Sequence, residues 1–247
     1  MSDRTFTNRY EIKYLLEARE LPAIEQALSG FLKPDVNGVH SGGYYNHSIY
    51  FDSPDYRYYC EKREGDLMRM KPRIRVYRTE RQDSPRTIYL ELKGRYDRIV
   101  TKRRATIDRT LAERFLAKSP LDLKGHTSGN SVLDEFIYLM HRFNLGPCVS
   151  VLYHRSAFFG AFYPGVRVTF DRMIECSRRT GLDAPEEAFI GAVPANRLVI
   201  ELKYNDKVPR MLLQRFNSLG LQQATFSKFA TSLERTHDAV FDPFYVH

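Results

Sequence analysis

The amino-acid sequence predicts one α+β domain built on a large, mostly antiparallel sheet. Three observations predict it. Strand-length segments outnumber helical ones, and the helices fall between groups of strands. Three consecutive strands are joined by short polar turns, as antiparallel neighbours allow. Along most strands, charged residues stand two or four apart, so each set shares a face and leaves an apolar face for helices to cover.

Asn8 to Leu15 reads as a strand, with Arg9, Glu11 and Lys13 on one face and Tyr10, Ile12 and Tyr14 on the other. Leu21 to Leu32 places Leu21, Ile24, Ala27, Leu28 and Phe31 at helical spacing. Lys33 to Gly43, with proline, asparagine and three glycines, is a loop. Tyr44 to Phe51 is rich in β-formers, and Asp52-Ser53-Pro54 has the chemistry of a cap and first turn for a helix reaching Glu64. Met68 to Thr79, Thr87 to Gly94 and Ile99 to Ile107 form a meander, joined by Arg81 to Arg86 and by Arg95-Tyr96-Asp97.

Leu111 to Ala117 and Ser131 to Phe143 are helical. Cys148 to Phe162 and Gly165 to Met173 make a hairpin around Tyr163-Pro164-Gly165; Arg178 to Val193 is an irregular excursion; Leu198 to Asn205 returns as a strand. Pro209 to Leu219 and Ser227 to Val240 close the chain as helices. No low-complexity run or shift of composition divides it, so residues 1–247 are expected to form a single unit.

The shared faces are Arg9/Glu11/Lys13, Lys71/Arg73/Arg75, Glu91/Lys93, Lys102/Arg104, Tyr153/Arg155, Arg167/Asp171 and Glu201/Lys203. Any one of them suits a sheet face wet by solvent. Their recurrence, and the prominence of arginine, which meets phosphate oxygens in a bidentate fork, point to a polyanion. If such a sheet closes on itself, its crowd of cations is tenable only with water or a polyanion inside. Glu11, Glu91, Asp171 and Glu201 would relieve the repulsion and offer oxygens to a hard divalent cation. Cations to hold phosphates and a metal to neutralise charge are what phosphoryl transfer needs.

Bulk properties agree. A chain of 247 residues buries a sizeable core, and 43% hydrophobic with 28% charged residues is ordinary for a folded soluble protein. The net charge of +8 favours phosphate chains, nucleotides, nucleic acid or an anionic membrane surface. Cys60, Cys148 and Cys176 lack metal or redox-pair spacing and read as reduced thiols. The first twenty residues lack the apolar core of a signal peptide, and no run approaches the roughly 18 apolar residues that span a bilayer. A cytoplasmic protein is expected, with a membrane-protein partner left open. The seven histidines form no ligand pattern.

Eight segments, in order, carry a resemblance: Arg9 to Leu15, Ile49 to Asp52, Arg73 to Tyr77, Leu90 to Lys93, Tyr153-His154-Arg155, Arg167 to Asp171, Glu201-Leu202-Lys203 and Phe226 to Phe229. Together they resemble the catalytic domain of the vacuolar transporter chaperone complex in its bacterial polyphosphate-polymerase form, a branch of the triphosphate tunnel metalloenzymes. The resemblance spans about residues 5–238.

It implies a closed antiparallel tunnel of about eight strands with helices packed outside, and ATP- and Mn²⁺- or Mg²⁺-dependent synthesis of inorganic polyphosphate. It further implies that Lys13, Arg73, Arg75, Lys93, Arg155, Arg167 and Lys203 grip the reacting phosphates. Lys102, Arg104, Tyr153, Ser227 and Lys228 would add contacts, and Glu201, with Glu11 and Glu91, would hold the metal. Ser227 also has the chemistry of a helix N-cap.

This chain departs from the family pattern at Arg9, where the wider superfamily often has a carboxylate, and at Thr225, where the eukaryotic polymerases tend to be basic. No phosphate-sensing domain and no membrane segment are expected in residues 1–247. A triphosphatase or a non-catalytic polyphosphate-binding domain would use the same residue types. An RNA-binding sheet would stack bases on aromatics such as Tyr77, Tyr89 and Tyr153, but a closed tunnel admits phosphate chains and not bases, so no nucleic-acid partner is expected.

Overall fold

The computed structural model describes residues 10–35, 42–85, 87–97, 99–118, 129–205 and 207–237; Arg9, the middle of the loop expected over 33–43 and the end of the helix expected to reach Val240 lie outside them. In chain order the elements are β1 (Tyr10–Glu17), α1 (Leu21–Leu28), β2 (Leu32–Pro34), β3 (Tyr44–Asp52), α2 (Arg57–Glu64), β4 (Met68–Arg78), β5 (Ile88–Tyr96), β6 (Ile99–Ile107), α3 (Arg109–Leu116) and α4 (Ser131–Phe143). They continue with β7 (Gly146–Gly160), β8 (Arg167–Ser177), β9 (Ile190–Gly191), β10 (Arg197–Tyr204), α5 (Arg210–Ser218) and α6 (Lys228–Thr236).

One antiparallel sheet runs β1-β10-β8-β7-β3-β4-β5-β6, with β2 on β7 and β9 on β8. Alternation sorts its side chains. Ile74, Val76, Leu90 and Leu92 are buried outward beneath α2, α3, α4 and α6 in one core, while Tyr14, Val168, Phe170, Ile200 and Leu202 form a second with α1 and α5. Removing this apolar area from water, at about 25 cal/mol per Å², is the main force curling the sheet with its charged face inward.

The expected tunnel is present, but among the described residues its ladder is not closed. Among the described residues no backbone pairing joins β1 to β6; the two edges approach, and the Lys93 ammonium on β5 reaches across to Glu11 Oε2 on β1 at 3.2 Å. Among the described residues, seven strand-to-strand ladders and a side-chain seam make the ring.

Most expected elements lie within a few residues of their predicted limits. α1 ends at Leu28 rather than Leu32, because Leu32 to Pro34 pair with Phe158 to Gly160. α2 starts at Arg57, since Tyr56 takes a left-handed φ of 54°; even so, Asp52 caps it, accepting from the backbone N–H of Tyr58 and Tyr59 at 2.9 and 3.0 Å. The excursion over 178–193 contributes β9.

Candidate active site

The inward face encloses a cavity of about 1000 Å³ lined by twelve lysine and arginine side chains against four carboxylates. Strand alternation places them. β4 sends in Lys71, Arg73 and Arg75; β6 sends in Lys102 and Arg104; β1 and β10 send in Glu11, Lys13, Glu201 and Lys203. Arg103, between two inward cations, turns outward and binds Glu135 on α4.

Two buried ion clusters form the wall. On β4, β5 and β6, Arg73 donates from Nε and Nη2 to Glu91 Oε2 at 2.8 and 2.6 Å, and Lys102 Nζ lies 2.5 Å from Oε1. Arg75 Nε is 3.8 Å from the same carboxylate and donates to Ser48 Oγ at 2.9 Å. Tyr50 and Tyr153 accept from Arg73 and Arg75 at 3.1 and 3.3 Å. Glu91 has 0% exposure and lies behind the cations rather than in the cavity. Burial opposes its ionisation, but Arg73, Arg75 and Lys102 outweigh burial and hold its carboxyl well below the usual range.

The second cluster joins β7, β8, β10 and α6. Arg155 forks onto Asp171 at 2.6 and 2.7 Å and reaches Glu201 Oε2 at 2.9 Å. Lys228 Nζ lies 2.5 Å from Asp171 and donates to Glu201 Oε1 at 2.9 Å; Lys203 donates to Glu201 Oε2 at 2.6 Å. Burial would lower the Lys228 pKa, but Asp171 and Glu201 together raise it well above the ordinary lysine value. For Lys203 burial dominates and the pKa falls to about 8 despite Glu201. Lys13 donates to the Phe226 carbonyl at 2.8 Å and stands 4.0 Å from Glu201.

The remaining expected residues divide by position. Arg167 stands at the rim, donating to Asp35 at 2.8 Å, and Arg104 lies over the Tyr89 ring. Ser227 caps α6 through the Ala230 N–H, and Lys228 follows it into the cavity. Thr225 is exposed. Sequence reasoning passed over Ser48 and Tyr50, because an uncharged polar alternation on β3 does not stand out; Asp35, in a loop, has no periodic signal at all.

Among the described residues no three histidines, cysteines or acids converge to cage a metal. Glu11 and Glu201 nevertheless sit on paired strands close enough to feel each other's charge. Glu11 Oε1 is buried without a hydrogen-bond donor, with Lys203 Nζ lying 3.7 Å away. One free carboxylate oxygen beside a second carboxylate fits a hard cation that takes its remaining ligands from phosphate and water, as Mg²⁺ does.

Compared with known protein families, residues 8–237 match the VTC domain. The chain belongs to the VTC domain family. Comparison with curated proteins finds no match. Among solved structures, this VTC domain is similar to a Hippeastrum protein described as an adenylyl cyclase with a dominant triphosphatase activity. The TM-score is 0.55 at 17% identity, covering 97% of this chain and 100% of that one. It is also similar to a Bacillus halodurans protein described as an adenylate cyclase, with TM-score 0.51 at 11% identity over 90% and 95% of the two chains. At these identities the likeness is one of fold. No helix of the VTC domain is, among the described residues, long and apolar enough to cross a membrane.

Proposed function

We propose that this VTC domain lengthens inorganic polyphosphate, taking the γ-phosphoryl group of ATP. The observation that carries the reading is the excess of cations over carboxylates in one enclosed cavity, a charge that a condensed phosphate chain can neutralise. In the transfer the bond between Pγ and the β–γ bridging oxygen breaks, and a bond from a terminal oxygen of the acceptor chain to Pγ forms. ADP and a chain longer by one phosphate leave. Such a transition state asks for alignment and charge stabilisation more than covalent chemistry.

On this reading Arg73, Arg75 and Lys102 hold one run of phosphates, with Glu91 as their buried counter-ion. Lys13, Arg155, Lys203 and Lys228 hold the facing run, while Lys93, Arg104 and Arg167 meet phosphates toward the seam and rim. Tyr153 and Ser227 add hydroxyl donors. Mn²⁺ or Mg²⁺ at Glu11 and Glu201 would neutralise charge on the reacting phosphates. Glu91, fully buried and not lining the cavity, is left out of the metal set.

The test is incubation of the purified protein with ATP, Mn²⁺ and a short polyphosphate primer, expecting acid-stable chains that outgrow the primer. Release of orthophosphate alone would favour a second reading, a triphosphatase in which water attacks instead. The activity described for the Hippeastrum relative favours that alternative.

A further inference from the structure

Of the lysines lining the cavity, Lys71 alone has no carboxylate oxygen within 4.0 Å among the described residues; Lys13, Lys93, Lys102, Lys203 and Lys228 each have one. Its ammonium group instead donates to Ser227 Oγ at 2.8 Å and lies over the Phe229 ring. Ser227 Oγ also accepts from the Ala230 N–H at 3.3 Å. A serine hydroxyl has two acceptor lone pairs and one hydrogen. With both lone pairs engaged, that hydrogen is left to be donated, and Ser227 borders the cavity.

We propose that Lys71 is a phosphate-positioning residue of the tunnel: its ammonium group meets a phosphate oxygen directly and, by occupying the acceptor side of Ser227, turns the serine O–H toward the same anion. The proposal rests on reading the tunnel as a phosphate site. Charge around Lys71 fits it. Burial, then Lys13 on β1, Lys93 on β5 and Lys62 on α2, push its pKa well below the ordinary lysine value, against the opposite pull of Glu11 on β1. An anion arriving beside Lys71 supplies the counter-charge that no carboxylate within 4.0 Å provides among the described residues, so binding raises the lysine pKa and takes up protons at pH values between the free and the bound pKa.

The experiment is calorimetric titration of the metal-free protein with tripolyphosphate at a series of pH values from neutral up to the ordinary lysine pKa, in buffers of different ionisation enthalpy. Wild type is expected to bind with proton uptake. Lys71→Met should bind about tenfold more weakly, the worth of one charge-assisted contact, and take up fewer protons. Lys71→Arg should regain affinity without regaining the uptake, because a guanidinium stays charged. Combined with Ser227→Ala, the losses should fall short of additive, since one side chain acts through the other. Affinity within about twofold of wild type with unchanged uptake in Lys71→Met would overturn the proposal. If that variant fails to fold, unchanged uptake in Lys71→Arg overturns it instead. Failure of wild type to bind tripolyphosphate at all would overturn the tunnel reading, and this inference with it.

Discussion

Arg73 and Glu91 face each other across β4 and β5, and two guanidinium nitrogens converge on the single oxygen Glu91 Oε2, at 2.8 and 2.6 Å. Neither residue is more than 5% exposed. A charge-reading of either strand alone sees a phosphate ligand or a metal ligand; the pair shows a cation held in place by its own counter-ion.

Glu91→Gln should therefore act on stability first. It strands Arg73, Arg75 and Lys102 with no counter-charge, and breaking such a buried pair costs about 3 kcal/mol or more. Urea unfolding measures the loss. Tripolyphosphate should raise the melting temperature of this variant more than that of wild type, since it replaces the missing charge. The Mn²⁺ dependence of activity should be unchanged; a shifted metal requirement would return Glu91 to the metal site.

Removing Arg73 and Arg75 together, as Ala, is expected to abolish nucleotide binding and also to destabilise the fold, because it leaves Glu91 buried with Lys102 alone. The double variant Arg73→Met, Glu91→Gln separates the effects. It should be more stable than Glu91→Gln alone, since one stranded cation is gone, yet less stable than wild type, because Arg75 and Lys102 still lack their counter-charge, while tripolyphosphate affinity falls about tenfold. Equal affinity would make Arg73 purely structural.

Glu11→Gln should raise the Mn²⁺ concentration needed for half-maximal activity while leaving metal-free tripolyphosphate binding intact or tighter, since it removes a negative charge from the cavity. Weaker metal-free binding would mean that Glu11 serves only to position Lys93 and Lys203.

The pH dependence of stability has two arms. Glu91, Glu201 and Asp171 are held below their ordinary carboxylate values by neighbouring cations that overcome burial. Their contribution is present above the ordinary carboxylate pKa and is lost as pH falls toward the folded values. On the alkaline side Lys203 titrates near 8 when folded and near 10.5 when unfolded. In that window the unfolded chain holds more protons, so stability should rise with pH. Urea midpoints across both ranges check this, and bound tripolyphosphate should flatten the alkaline rise by keeping Lys203 charged.

Much of this was legible in the sequence because period-two alternation survives in charged strands. Lys71, Arg73 and Arg75 face inward, while Ile74 and Val76 pack outward, as the spacing demands. What alternation cannot express is partnership across strands. Nothing in Leu90-Glu91-Leu92-Lys93 says that Glu91 ends behind three cations while Lys93, two residues on, reaches over a gap to Glu11. Register and curvature decide that. The same blindness hid Asp35, whose link to Arg167 spans 132 residues.

The seam between β1 and β6 gives the ring a topology of its own. A hoop sealed all round by backbone hydrogen bonds would oblige a long polymer to be threaded end first and drawn out the same way. Here one stretch of the circumference is fastened by side chains such as Lys93 and Glu11. Parting it means loosening ion pairs rather than tearing a ladder, and phosphate oxygens compete for those very ammonium groups. The ring is a clasp, and a phosphate chain of the kind proposed for it would be chemically equipped to undo it.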